Sequence, residues 1–114
     1  WGNSIHMCYN NFSSQDVYNT ILEHEFIHAV QTCYDEKEDD KCKTSVCKEI
    51  EAYYTSNCFH YPTPESRRIC VWRGVRKSSA NHCKTWFGFG SPDNARIDRY
   101  FSELYGRCKE RSRY

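Results

Sequence analysis

Eight cysteines in 114 residues, at positions 8, 33, 42, 47, 58, 70, 83 and 108, constrain the fold of this chain more than any other feature. A single domain of this length buries only a modest apolar core. An even number of cysteines spread over its whole length is the composition of a fold that supplements that core with disulfide staples. No two of them stand in a CxxC pair, so a zinc site made of cysteines alone is not expected. The spacing leaves the pairing open. A reduced cytosolic protein rich in free thiols is the alternative, and it fits this composition less well.

No run of roughly 18 apolar residues offers a membrane span, and no basic-then-apolar stretch opens the chain as a signal peptide. Trp1 in place of Met marks a processed or truncated start, beyond which a targeting segment would lie. Oxidised cysteines without a visible secretory signal point to the extracellular space, a periplasm or the mitochondrial intermembrane space.

His24-Glu25-Phe26-Ile27-His28 spells HExxH within a stretch that reads as helix. Residues four apart share a helix face, so two imidazoles at this spacing can grip one metal ion. The glutamate beside the first histidine can then reach an activated water and take its proton, which is the working core of a zinc metallopeptidase. The bland reading is a solvated helix turn with two surface histidines. Against it, Val17, Ile21, Ile27 and Val30 recur at helical spacings, and Ser13-Ser14-Gln15-Asp16 supplies a cap with an acidic first turn. The pattern predicts a helix from about Ser14 to Tyr34.

Residues 3–9 alternate polar and apolar and read as a short strand. The acidic stretch 35–40 reads as a solvated loop. A second helix is expected over Ser45 to Ser56, capped by Thr44 or Ser45. Tyr61-Pro62-Thr63-Pro64 gives a break, a cap at Thr63 and a proline at the first helical position, starting a third helix that runs to about Ala80. Gly88-Phe89-Gly90-Ser91-Pro92 repeats that grammar with Ser91 as cap. The last helix sets Ile97, Phe101, Leu104 and Cys108 on one face. There is no internal repeat and no linker.

A catalytic zinc takes three protein ligands and keeps one position open. The second helix offers Glu49 and Glu51, which point to nearly opposite sides, so only one can complete a His-His-Glu set. Glu49 is the choice, because the small Ala52 three residues on permits close packing against the motif helix; Glu51 is the alternative, expected to face solvent. The plain alternative makes Glu49 an ordinary surface carboxylate. His6, His60 and His82 read as structural or solvated. Tyr53, Tyr54 and His60 are candidates to stabilise an oxyanion, and sequence does not choose among them.

The net charge of +1 hides a division. Residues 1–58 carry 4 Lys and Arg against 10 Asp and Glu, whereas residues 59–114 carry 12 against 5. A basic, aromatic second half could face anionic lipid or an acidic partner, or be simply solvated helix faces. No nucleic-acid-binding motif accompanies it, and no nucleic acid is expected.

Taken together, these residues resemble one family, the mitochondrial inner-membrane metalloprotease that processes and helps assemble ATP synthase. The likeness lies in His24-Glu25-Phe26-Ile27-His28-Ala29 followed by Cys33, and in Cys47-Lys48-Glu49-Ile50-Glu51-Ala52 followed by Cys58. It continues in the basic segment from Cys70-Val71-Trp72-Arg73 to Asn81-His82-Cys83, with Cys8 and Cys108 also in register. The resemblance implies zinc at His24 and His28, with Glu25 as the catalytic carboxylate. It also implies residence in the intermembrane space, peripheral to the inner membrane, and a protein or peptide substrate. The implied partner is an inner-membrane complex such as the membrane sector of ATP synthase. Where the family usually has an acidic residue after the second histidine, this chain has Val30-Gln31. The acidic loop 35–40 is its own, and the family's more N-terminal cysteine-containing region is not seen.

The expected architecture is mostly α (α+β): one zincin-like helical domain over residues 1–114, with a short N-terminal strand, disulfide staples and one catalytic-type zinc. The competing expectation is a catalytically inactive relative that serves as a structural or assembly subunit of an inner-membrane complex. A helical protein of the twin CX9C type ranks last, because Cys33 to Cys42 and Cys47 to Cys58 miss that spacing.

Overall fold

The computed structural model of the chain describes residues 15–34, 40–85 and 90–110. They form four helices: α1 (Gln15–Tyr34), α2 (Lys41–Thr55), α3 (Pro64–Ser78) and α4 (Asn94–Cys108). The expected strand at 3–9 lies outside the described residues, as do His6 and Cys8. Among the described residues, the only β pairing is an isolated antiparallel bridge between Lys84 and Pro92. No helix among the described residues is long and apolar enough to cross a membrane.

Helix α2 is the hub, packing against each of the other three. Its Val46 and Ile50 meet Val71 and Val75 of α3 and Ile97, Phe101 and Leu104 of α4 in one buried apolar cluster. The face expected for the last helix is thus the face it buries, Cys108 included. Three disulfides tie this three-helix body: Cys42–Cys83, Cys47–Cys108 and Cys58–Cys70. Each has one end in α2 or just beyond it. By loop-closure entropy each contributes about 3–4 kcal/mol, a large share of the stability of so small a core.

Helix α1 joins the body differently. Of the apolar positions expected on it, Ile27 is buried, whereas Ile21 and Val30 are only half-buried. Among its described side chains, those buried most are His24, Ile27 and Gln31, with His28 beside them. These are positions i, i+3, i+4 and i+7, a single face that is mostly polar. The motif itself is therefore the surface by which α1 attaches.

Two helix starts differ from expectation. Helix α2 begins four residues earlier than Ser45, because Asp40 caps it: its Oδ1 accepts from Lys43 N at 2.6 Å, and its Oδ2 accepts from Tyr100 at 2.6 Å. A carboxylate read as part of an acidic loop is a cap bonded to α4 as well. Helix α4 is capped by Asp93 rather than Ser91. Pro92 is held in the bridge by flanking bonds, Thr85 N to Ser91 O and Asp93 N to Cys83 O, so the helix cannot begin until after it. Thr63 and Pro64 start α3 as expected, with a reciprocal Thr63–Ser66 capping box.

Much of the basic second half is engaged rather than simply solvated. Arg76 makes a two-pronged ion pair with Asp98, which also accepts from Trp72 Nε1. Arg67 lies 3.7 Å from the Tyr54 ring centre, and Arg68 covers Phe101 and Tyr105. These guanidinium planes seal the rim of a small aromatic core.

Candidate metal centre

Helices α1 and α2 bring His24, His28 and Glu49 to one point. Glu49 Oε1 lies 3.1 Å from His24 Nε2 and 2.7 Å from His28 Nε2, and the two Nε2 atoms are 3.0 Å apart. The edges of a tetrahedral site with bonds of about 2.0–2.1 Å are about 3.3 Å, so three donors this close can share one ion. These are the residues expected from sequence, and they form a group that could hold a metal ion.

Their hydrogen-bond partners decide the chemistry at that point. Gln31 Nε2 donates to Lys48 O at 3.0 Å and to Glu51 Oε1 at 2.7 Å, which turns its carbonyl oxygen toward His28. Only a donor can face that oxygen, so His28 Nδ1–H donates to Gln31 Oε1 at 2.8 Å. Likewise His24 Nδ1–H donates to Asn57 Oδ1 at 2.9 Å, an oxygen that also accepts from Ser56. Both neutral imidazoles therefore turn an Nε2 lone pair toward the same carboxylate oxygen. Three acceptors converging on one point repel each other unless a cation or a proton lies among them.

The ionisation of the site follows. Burial pushes the Glu49 carboxyl up, but where a proton lies at Nε2 the hydrogen bonds and charge of the histidines outweigh it and hold the group at about 2. Burial disfavours the charged form of His28, yet the bond and charge of Glu49, with help from Gln31 and the charge of Glu25, raise its pKa above 6.5. In the metal-free chain a proton on His28 thus occupies the place a metal would take.

Metal and proton compete for that place, so zinc uptake should release protons, and zinc affinity should climb as pH rises through the raised His28 value. The signs for folding of the metal-free chain are opposite for the two groups. The Glu49 contribution is complete above its ordinary 4.5 and is lost as pH falls toward about 2. The His28 contribution is complete below its ordinary 6.5 and is lost as pH rises past its folded value. Metal-free protein should therefore draw most from this pair between those two ordinary values. Urea titrations across pH, with and without chelator, check it; a pH-independent zinc affinity would contradict it.

Glu51 is not the solvent-facing residue expected. It is 2% exposed and receives Gln31. The reason is that α2 is wrapped by three helices and has little solvent face left. Glu25 is exposed on α1, close enough for its charge to act on both His28 and Tyr53.

Of the three oxyanion candidates only Tyr53 is at the site. Its ring packs edge-on against His24, with ring centres 4.4 Å apart, and its hydroxyl bonds Ser78 Oγ at 2.7 Å. Burial, with the charge of Glu49 and Glu25, pushes the phenol up despite the Ser78 bond, so it stays protonated. Tyr54 faces away, stacked under Arg67, and His60 is exposed beside Phe59.

Tyr53 depends on Gly74 of α3. A Cβ at that position would stand 2.6 Å from the ring. Gly74→Ala should cost about 1–3 kcal/mol by overpacking. Gly106→Ala, where nothing lies within 4 Å of the new Cβ, should instead stabilise by about 0.5–1 kcal/mol through helix propensity. Denaturant melts of the two variants make the comparison, and equal effects would show that the Tyr53 contact has no weight.

The structure defines a small, disulfide-stapled helical protein in which two i, i+4 histidines and a neighbouring helix's carboxylate surround one point that could hold a metal ion. The model of the Peptidase M76 family matches residues 2–86, and the chain belongs to that family. The match spans α1 to α3, and α4 lies beyond it. Neither the curated proteins nor the solved structures returned a match to this chain. Sequence reasoning missed Gln31, Asn57 and Gly74; only the Gln31 departure from the family pattern hinted at any of them.

Proposed function

We propose that this protein is a zinc endopeptidase, with His24, His28 and Glu49 as the metal ligands and Glu25 as the general base. The observation that carries this reading is the convergence of three lone-pair donors beside an open cavity. His28 and Glu49 form part of the wall of a cavity of about 300 Å³, which supports access of a peptide side chain to the site. A purely structural metal site would be closed on all sides.

Bound zinc would supply Lewis acidity toward the scissile carbonyl and toward the attacking water. Glu25, on the exposed side of α1, takes the proton of that water as it attacks and passes it to the leaving amine. Gln31 and Asn57 hold both imidazoles with Nε2 toward Glu49, where they would hold the ion, and Tyr53 packs against the His24 ring. The intermembrane space, and an inner-membrane complex such as the membrane sector of ATP synthase as partner, belong to the same proposal. Three disulfides suit an oxidising compartment.

The test is cleavage of a quenched fluorescent peptide library, before and after chelation. Activity should vanish with the metal and return with one zinc per chain. Cleavage that survives complete metal removal would refute the reading.

A further inference from the structure

The cavity beside His28 and Glu49 has a composition that the metal chemistry does not require. One stripe of α2 forms much of it: Lys41, Thr44, Ser45 and Lys48, spaced i, i+3, i+4 and i+7. Ser78 and the exposed His82, from the end of α3 and the turn beyond, close the other side. Its volume of about 300 Å³ is at the lower end of the range for small-molecule sites, enough for one long side chain.

The polar groups here are sorted by what they have left to give. Thr44 donates its hydroxyl to Asp40 O, Ser45 bonds Ser79, and Ser78 bonds Tyr53. Among the described residues no carboxylate pairs with Lys41 or Lys48, in contrast to Lys43, which meets Glu103 at 3.0 Å. Among the described residues of the cavity wall the carboxylate is Glu49, which is committed to the two histidines. With a divalent ion bound, that cluster would add a net positive charge of its own. Glu25 is not part of the lining.

We infer that this cavity is a substrate pocket for an acidic side chain, Asp or Glu, of the peptide being cut. Lys41 and Lys48 would be its specificity-determining residues. The inference rests on the peptidase reading for the word substrate, but the pocket itself is defined by charge and shape. Because His28 and Glu49 share its wall, the residue held there adjoins the scissile bond. The half-buried Lys48 on the cavity wall is less screened by water than a surface lysine, and the exposed Lys41 beside it adds its charge. Together they attract a carboxylate more strongly than scattered surface lysines would.

Binding separates this inference from the peptidase reading. The zinc-loaded Glu25→Gln chain is titrated with fluorescein-labelled alanine hexapeptides carrying one Glu, Gln or Lys at each position in turn. At one position the Glu peptide should bind about tenfold tighter than its Gln counterpart, and the Lys peptide weakest. The Lys41→Glu/Lys48→Glu variant should reverse the order, whereas Arg73→Glu/Arg99→Glu, the same charge change at exposed sites elsewhere, should preserve it. Circular dichroism and zinc content certify each variant, and the single Lys41→Glu change, at an exposed residue, should give a partial shift if the double variant does not fold. Equal binding of Glu, Gln and Lys peptides, or a preference that survives reversal of the lysines, overturns the pocket and leaves the peptidase reading intact. Acidic preference in binding, with no cleavage of any peptide by the unmutated chain, sustains the pocket and removes the peptidase.

Discussion

Glu25→Gln is expected to lower kcat/KM for peptide cleavage about 10³-fold while zinc stays at one per chain. The size follows from the loss of a positioned general base, and glutamine keeps the shape of the side chain while being unable to take a proton. The exposed position of Glu25 on α1 makes the rest of the expectation possible. An exposed side chain outside the metal cluster can be replaced at a cost within about 0.5 kcal/mol. Its charge favours a proton on His28 and would favour a divalent ion there more strongly, so its removal should lower zinc affinity slightly without emptying the site. Kinetics beside elemental analysis read both effects. Unimpaired cleavage in the variant would remove Glu25 from the mechanism; an unmutated chain that binds zinc and cuts nothing would favour the assembly-subunit alternative.

Glu49→Ala should have an equally large effect, on metal and on structure together. Loss of an outer-shell partner of a metal ligand typically costs 10–100-fold in affinity, so deleting a ligand should exceed about 100-fold. The variant also leaves two imidazole lone pairs facing one another 3.0 Å apart without a counter-charge. Because α1 docks through this same polar face, its hold on the body should weaken. Hydrogen exchange should quicken along α1 while α2, α3 and α4, bound by three disulfides and the apolar cluster, keep their protection. Glu51→Gln is the companion variant: it can still accept from Gln31, so zinc affinity should change far less. Zinc affinity lost equally in both, or exchange that rises uniformly across all four helices, would contradict this division of the fold.

Several elements were legible because their signals are local. Thr63 and Pro64 announce the start of α3 with side-chain oxygen and fixed φ alone, and α4 shows its buried face in the spacing of Ile97, Phe101, Leu104 and Cys108. Helix α1 is recognisable to within a residue. Asp40 escaped notice because a cap and an acidic loop look alike until Tyr100, sixty positions away, supplies a partner. Pro92 misled for a related reason: its neighbours' bonds to Cys83 and Thr85 belong to a bridge that no local pattern announces.

The site divides in the same way. By itself the sequence determined the two histidines, the carboxylate beside the first of them and the small set of carboxylates from which a third donor could come, since helical geometry turns spacing into direction. The sequence favoured Glu49 over Glu51; the tertiary structure placed Glu49 on both histidines and showed that Glu51, instead of facing solvent, is buried against Gln31. It also decided that Gln31 and Asn57 aim the imidazoles, that Gly74 makes room for Tyr53, and that lysines line the cavity next to the ligands. Those choices depend on contacts between helices, and a hydrogen bond or a steric limit across helices leaves no period in the chain.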